Sequence, residues 1–201
     1  MEMMICGRPI STLRDDTQAH DCALRTGITG FTTIELIITL AVAAILFAIA
    51  LPSFQNMISD QRVQAASSNL YASLIYARSE AIKRSQFVAV CAMTDDGFGC
   101  QNSTDWARGW IVFIDGDGNG YPGAVSDILK RQDTIPSVTL TGTGTNVSYQ
   151  RDGRLRAAAT AFVASPSPAN TSVKARCVSL DLSGRPKSVA DTDGNAANGC
   201  Q

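Results

Sequence analysis

One carboxylate lies where a charge is costly. Glu35 is the single charged residue in the run from Phe31 to Leu51, which has 21 residues. A helix of that length crosses the roughly 30 Å hydrocarbon core of a bilayer. A carboxylate in hydrocarbon needs a partner, and a cation at the same depth would supply one. Two interpretations stay open: Glu35 pairs with such a cation, or it snorkels towards the headgroups near its helix end.

The sequence offers little for catalysis or metal binding. Its one histidine, His20, lies in a polar N-terminal stretch, and no Gly-x-Ser-x-Gly motif is present. We therefore expect no enzyme activity, no cofactor and no metal. The segment Asp115-Gly-Asp-Gly-Asn-Gly120 matches the opening of an EF-hand calcium loop, but its twelfth position is Ser126, where a bidentate carboxylate is required. A turn between strands is the favoured interpretation.

Basic side chains are concentrated late in the chain. The chain has 17 Lys and Arg against 18 Asp and Glu, so nucleic-acid binding would have to depend on a local cluster. Arg185 and Lys187 project from a predicted turn at 183–188, and Lys174 and Arg176 lie on the predicted polar face of the preceding strand. Another predicted turn carries Arg151, Arg154 and Arg156. Such residues can bind backbone phosphates without reading sequence, or simply be solvated.

Six cysteines divide into two groups. Cys6 and Cys22 precede the apolar run, and four follow it, for which three pairings are possible. Pairing Cys91 with Cys100, and Cys177 with Cys200, closes short local loops. A zinc site is the competing interpretation, but the chain lacks a Cys-x-x-Cys pair. Disulfides are favoured, which indicates an oxidising compartment.

A long helix and a β-rich domain must position these residues. Residues 55–84 contain neither glycine nor proline. Apolar residues recur there at three- and four-residue spacing, namely Val63, Ala66, Leu70, Leu74, Ala77 and Ala81. The pattern predicts one helix over 31–84, embedded in the membrane over 31–51, amphipathic beyond it, and kinked at Pro52.

Beyond residue 84 the sequence predicts strands. The candidate runs are 87–92, 110–114, 128–131, 138–140, 147–150, 161–163 and 173–182. The segment 165–171 is a loop by composition. The predicted fold class is α+β, with the amphipathic half of the helix packed on an antiparallel β-sheet domain.

The start of the apolar run contains a processing motif. Gly30-Phe31-Thr32-Thr33-Ile34-Glu35 resembles the cleavage site of type IV prepilins and pseudopilins, and Pro52 falls at the twenty-second position after the cut, where many of these proteins have a kink. A secretory signal peptide is the competing interpretation, with the small-x-small sequence 48–50 as its cleavage site. The long polar stretch before the run, and the carboxylate within it, argue against a signal peptide.

The resemblance implies a specific maturation. A prepilin peptidase would remove residues 1–30 by cutting after Gly30, and Phe31 would become the N-terminus and undergo methylation. In this family the glutamate is thought to pair with the N-terminal amine of a neighbouring subunit. That assigns Glu35 a role in setting subunit register as the helices bundle.

The remainder of the chain narrows the resemblance. Segments 106–120 and Ser183-Gly-Arg-Pro-Lys187 resemble those of the GspH/FimT group of minor pilins and pseudopilins. The resemblance implies the pilin fold, with a helix over 31–84 and a periplasmic β-rich domain over 85–201. It also implies a minor pilin of the FimU/FimT kind, which takes part in assembly or initiation of a type IV pilus.

The same resemblance sets partners, location and alternatives. The implied partners are other major and minor pilins, the prepilin peptidase and the inner-membrane assembly machinery. The protein would be a single-pass inner-membrane protein before it enters the pilus. One alternative is a type II secretion pseudopilin, and another is a minor pilin that binds double-stranded DNA for natural transformation. The latter is implied by Gly184-Arg-Pro-Lys187, which resembles the DNA-binding motif of FimT-type pilins. A secreted hydrolase, with its mature N-terminus at Leu51, is a third.

Overall fold

A single long helix begins the computed structural model, which describes residues 30–192. Helix α1 spans Thr33–Arg84, 52 residues, and its helical backbone continues through Pro52. Of the described helices, this one is long and apolar enough to cross a membrane. The chain divides into a first unit, Met1–Ala43, and a second unit, Ala44–Gln201. The predicted kink at Pro52 stays a prediction.

In the first unit, the apolar side chains of the described helical residues are exposed. Ile34, Leu36, Ile37, Ile38 and Leu40 are all exposed within this chain. A helix that is apolar on every side needs a lipid or a protein environment. This part of α1 is therefore built to be covered by something other than its own chain.

In the second unit, the amphipathic part of α1 forms one wall of the core. The six predicted apolar positions are all 0–1 % exposed, and they are Val63, Ala66, Leu70, Leu74, Ala77 and Ala81. Burying a leucine fully contributes roughly 1.5–3 kcal/mol. The predicted stripe is confirmed, and it joins a single apolar core that includes residues of both sheets.

In the described part of the chain, eight strands follow the helix in two antiparallel sheets. Their bounds are β1 Val88–Ala92, β2 Gly109–Ile114, β3 Ile128–Asp133, β4 Val138–Gly142, β5 Asn146–Tyr149, β6 Thr160–Pro166, β7 Arg176–Leu180 and β8 Pro186–Ala190. The sheet orders are β3-β2-β1-β5 and β4-β6-β7-β8. The α+β prediction is confirmed, with two sheets of four strands where one sheet was expected.

The apolar run in β1 is explained by burial on both of its faces. Val88, Val90 and Ala92 belong to the core under α1. The intervening Ala89 and Cys91 pack with residues of β2 on the opposite face. A strand covered on both sides reads as continuous apolar sequence, so the absence of alternation here has a physical reason.

The predicted turn at 183–188 is too long. The structure turns between Asp181 and Gly184, whose backbones are joined by a hydrogen bond of 2.9 Å from the Gly184 N–H. From Pro186 the chain is already strand β8, in register with Leu180 of β7. Proline is tolerated there because β8 is an edge strand and Pro186 is its first residue.

Trp106, in the segment that precedes β2, packs on the sheet β4-β6-β7-β8. Its backbone N–H donates to Leu140 of β4 at 2.7 Å, and its indole N–H donates to the Gly144 carbonyl at 3.1 Å. Its ring meets Phe162 of β6 edge-to-face, with centroids 4.8 Å apart. Trp106 thus has a structural role, because an edge-to-face aromatic pair adds about 0.5–1.5 kcal/mol beyond burial.

Candidate functional site

The predicted processing junction is exposed. Phe31 is 80 % exposed, and Gly30 and Phe31 both precede the first helical residue. Thr32 caps the helix, because its hydroxyl accepts the N–H of Glu35 at 3.3 Å and its carbonyl accepts the N–H of Leu36. Glu35 therefore lies in the first turn, where a negative charge is favoured by the helix dipole.

Packing within the described residues leaves room for a side chain at Gly30. A Cβ built at Gly30 meets no atom within 4 Å, and its backbone is not in the left-handed region. A larger residue would therefore fit the described structure. Within the described residues, packing therefore gives no reason for glycine at this position.

Cysteine pairing is observed for the first predicted pair. Cys91 and Cys100 form a disulfide that closes a loop with a sequence separation of 9. Cys177, on β7, is also disulfide-bonded. Its predicted partner, Cys200, lies outside the described residues, as do Cys6 and Cys22, so the Cys177–Cys200 pairing stays a prediction.

The acidic segment at 115–120 uses its side chains to build a turn. Asp115 is buried and accepts the Gly120 N–H at 3.1 Å. Asp117 accepts both the backbone N–H and the side-chain amide of Asn119, and Asn119 in turn accepts the N–H of Tyr121 at 2.7 Å. Gly118 and Gly120 have φ of 74° and 83°. These contacts support the interpretation as a turn between strands.

The four predicted basic residues do not share one surface. Lys174 and Arg185 are exposed in loops, and Lys187 is exposed on β8.

Lys187 is in register with Ser179, whereas Arg176 is in register with the core residue Ala164. Arg176 thus shares the core face with Val178 and is half-buried. The prediction that it lies on a polar face is wrong, because two adjacent residues of β7, Cys177 and Val178, are both buried and face opposite ways.

Gly184 does not hold its turn open for a ligand. Its φ is 74°, and a Cβ there would lie 2.2 Å from the carbonyl oxygen of Gly153. The turn at 181–185 therefore packs on the turn at 150–154. That second turn is fixed to α1, because the Arg78 Nε donates to the Gly153 carbonyl at 2.9 Å.

This contact brings two basic turns together. Arg154 follows Gly153 and Arg185 follows Gly184, so both arginines flank the contact between the turns. The two turns are about 30 residues apart in sequence, and strand periodicity alone does not predict their contact.

Phe87 is the residue that sequence reasoning missed. Its ring carries two arginines, with the guanidinium carbons of Arg151 and Arg156 each 5.2 Å from its centroid. The alternation Arg154-Leu155-Arg156 indicates an exposed face that carries the two arginines, since Leu155 is buried and its neighbours are exposed. Nothing local in the sequence indicates Phe87 as their partner.

Asp181 offsets part of the positive charge of the turn that contains Arg185. Its carboxylate accepts the hydroxyl and the backbone N–H of Ser183. The hydrogen bond from the Ser183 hydroxyl is the main cause that lowers the pKa of Asp181, and backbone hydrogen bonds and the charge of Lys187 contribute less. The carboxylate therefore stays ionised beside Lys187 at neutral pH.

Comparison with known proteins identifies the fold. The family model of the type II transport protein GspH matches residues 66–184. The crystal structure of the type IV minor pilin FimU of Pseudomonas aeruginosa aligns with a TM-score of 0.53 at 21 % identity, and the alignment covers 70 % of this chain and 96 % of that one. A second crystal form of FimU aligns with a TM-score of 0.50 at 22 % identity, covering 69 % and 99 %.

A third similar structure is the minor pseudopilin EpsH from the type 2 secretion system of Vibrio cholerae. It aligns with a TM-score of 0.47 at 14 % identity, covering 64 % of this chain and 97 % of that one. Comparison with curated proteins finds no match. The long helix on two antiparallel sheets is the pilin fold of the FimU structure.

Proposed function

The chain belongs to the GspH family of type II transport proteins, and we propose that it acts as a minor pilin in the assembly or initiation of a type IV pilus. The observation that carries the proposal is the division of α1. Its amphipathic part is buried in the core, and the apolar residues of its first unit are exposed. Such a helix is suited first to a membrane and then to a bundle of similar helices.

Maturation would supply a cation for Glu35, whose carboxylate forms no ion pair within residues 30–192. Cutting after Gly30 would create an ammonium group on Phe31, four residues before Glu35 in the sequence, and methylation would leave it cationic. A neighbouring subunit that presents the same amine would neutralise Glu35 in hydrocarbon, where an unpaired carboxylate costs several kcal/mol. The expected environment is the inner membrane, with the disulfide-bonded domain in the oxidising periplasm.

Determination of the N-terminus tests this maturation. Protein isolated from membranes of the native strain should begin at Phe31, and it should retain the leader in a strain without the prepilin peptidase. A Gly30→Leu variant should fold normally, because no atom of the described chain approaches that position, yet stay unprocessed. A mature N-terminus at Leu51 would instead support a secreted protein with a signal peptide, and the proposal would be wrong.

A Glu35→Ala variant separates processing from assembly. The variant should be cut and anchored normally but fail to enter filaments, whereas Thr39→Ala, a change on the same helix without loss of charge, should assemble. A type II secretion pseudopilin is the competing assignment. It would be supported if a deletion strain keeps twitching motility and pilus number but loses protein secretion.

Binding of double-stranded DNA is a second candidate function. The exposure of Arg185 and Lys187, next to the basic turn at 150–154, favours it. A double variant, Arg185→Ala with Lys187→Ala, should lose duplex binding while keeping its melting temperature. Unchanged binding would exclude these two side chains as the contact.

A further inference from the structure

Two depressions meet on α1 just beyond the apolar run. The first, the apolar groove, is open, has a volume of about 420 Å³ and is lined by Phe54, Met57, Ile58, Ala65 and, from the β3–β4 connection, Ile135. The second, the polar cleft, has a volume of about 620 Å³ and is lined by amides and hydroxyls, among them Gln55, Asn56, Ser59, Ser137, Asn170 and Thr171. Ile58 and Arg62 line both depressions, so the helix carries an apolar and a polar recess side by side.

The apolar groove continues the surface of the membrane-spanning run. Phe54 and Met57 are each 61 % exposed, and Ile58 is 37 % exposed. The preceding turn of α1 in the same unit exposes Ile45, Leu46 and Phe47. The chain carries no charge from residue 36 to residue 59. An apolar surface that continues a membrane span without a charged break is suited to the hydrocarbon chains of lipids.

Arg62 places a cation at the border of the two recesses. It is exposed, and within residues 30–192 no ion pair includes it. Asp60, two residues earlier, lines neither recess, as expected for helix positions that do not face each other. Helical side chains lean toward the helix N-terminus, so Arg62 extends toward the Ile58 turn, on the membrane side. A guanidinium in this position is suited to binding a phosphate.

We propose that the apolar groove and the polar cleft together bind one anionic glycerophospholipid of the surrounding membrane. An acyl chain lies in the groove, the phosphate contacts Arg62, and the rest of the headgroup enters the cleft. The inference requires only that the chain is anchored in a membrane, and it does not depend on the pilus assignment.

The depth of the site agrees with this occupant. Ile58 is seven residues, or about 10 Å along a helix, beyond Leu51 at the end of the apolar run. The polar layer on each side of a bilayer is about 5–8 Å thick. Ile58 and the guanidinium of Arg62 therefore lie at the outer edge of the headgroups, and Phe54 lies closer to the hydrocarbon.

The lining of the polar cleft selects the headgroup. It contains one cation, Arg62, and no carboxylate, and Asn170 donates to Asn56 at 2.8 Å, which fixes two of its amides. One cation matches the single negative charge of a phosphodiester, and amides and hydroxyls match a hydroxylated headgroup. An ammonium headgroup would find no counter-charge in this cleft. The lining thus favours a glycerol headgroup, as in phosphatidylglycerol, over an ethanolamine headgroup.

A second copy of the chain is the competing occupant of the groove. In an isologous contact through this face, each copy would bring its own Arg62 to the same border. Like charges repel, and no carboxylate lines the groove to separate them. Charge therefore favours the lipid.

Quenching of tryptophan fluorescence by brominated lipid tests the site. The chain has two tryptophans, Trp106 and Trp110, and both line a small buried cavity that shares Ile135 with the apolar groove. The full chain is placed in phosphatidylcholine nanodiscs that contain a rising fraction of phosphatidylglycerol with brominated acyl chains. Quenching should be half-maximal at a fraction about fivefold lower than for phosphatidylethanolamine with the same chains.

The variant Arg62→Gln tests the phosphate contact. The half-maximal fraction of phosphatidylglycerol should rise about fivefold, the effect of one basic side chain at an anionic membrane surface. The matched control is Lys83→Gln, which removes an exposed cation at the other end of the same helix and should change that fraction less than about twofold.

The variant Met57→Ser tests the apolar groove. Since Met57 is 61 % exposed, the melting temperature should stay near that of the wild type, while quenching by both lipids should weaken at least about threefold. The matched control is Ile75→Ser, an exposed apolar position of the same helix outside the groove, which should leave quenching unchanged.

Other results would overturn the proposal. Equal quenching by the two lipids, unaffected by Arg62→Gln, would indicate ordinary contact with bulk lipid and no site. Absence of quenching in the wild type, or full quenching in Met57→Ser, would place the acyl chains elsewhere. Self-association that Met57→Ser abolishes, while quenching persists, would identify a second copy as the occupant. Each of these results would leave processing after Gly30 and entry into filaments untouched.

Discussion

Replacing Gly184 distinguishes a structural role of this glycine from a ligand-binding role of the Gly-Arg-x-Lys segment at 184–187. Replacement by alanine places a Cβ 2.2 Å from the Gly153 carbonyl oxygen and 3.1 Å from Cε1 of Tyr149. The first neighbour is backbone and the second is a fully buried ring, so neither can move away freely. The residue also keeps a φ of 74°, which L side chains rarely adopt.

The expected loss follows from these two effects. The left-handed backbone costs about 1–2 kcal/mol for alanine, and overpacking costs about 1–3 kcal/mol. A combined loss of about 3 kcal/mol corresponds to a Tm lower by about 6–12 °C in a chain of this size. The matched control is Gly116→Ala, where a Cβ meets no atom within 4 Å, and we expect a change within about 0.5 kcal/mol.

The assay is thermal unfolding of the full chain in detergent, followed by tryptophan fluorescence. Trp106 and Trp110 are both buried in the second unit, so they report its unfolding. If Gly184→Ala melts within about 1 °C of Gly116→Ala, the packing argument for Gly184 is refuted. If it melts as expected, weaker DNA binding by that variant is explained by lost structure and not by a lost phosphate contact.

Three further predictions concern the second unit. Leu74→Ala, at a fully buried position, should lower the free energy of unfolding by about 2–5 kcal/mol, whereas the neighbouring Ile75→Ala, at a 41 % exposed position, should cost less than about 1 kcal/mol by urea denaturation. Replacing Cys91 and Cys100 together by serine should cost about 3 kcal/mol, from the loop they close, and added reductant, which also breaks the disulfide of Cys177, should cost the wild type at least as much. The hydrogen bond from Arg84 is the main cause that lowers the pKa of Glu80. The ionised carboxylate therefore stabilises the fold fully above the ordinary pKa range of glutamate, and this stabilisation is lost as the pH falls through the lowered pKa. Glu80→Gln should therefore flatten the acid side of a plot of Tm against pH, and an unchanged acid side would contradict the ion pair.

Local sequence patterns predict those features that depend on a single helix or a single short loop. The buried stripe of α1 repeats every three or four residues, so Val63, Leu70 and Leu74 could be assigned to the core before any fold was known. The pairing of Cys91 with Cys100 was likewise accessible, because a short loop keeps the two ends close in any conformation.

Strand edges were harder to read. The sequence predicts a turn over 183–188, but strand β8 begins at Pro186, and its side chains are half-buried or exposed. An edge strand needs no apolar alternation when neither of its faces enters the core. Arg176 lies on the face opposite to the predicted one for a related reason: both faces of β7 carry buried residues, so apolar alternation does not distinguish the two faces.

By itself, the sequence determined the long helix, its apolar and amphipathic parts, the motif around Gly30 and the α+β class, because each depends on residues within a few positions of one another. Only the tertiary structure placed Gly184 on Gly153 and brought Arg151 and Arg156 to Phe87. Contacts between residues some 30 to 70 positions apart are set by strand register and by packing against the helix, which local spacing does not encode.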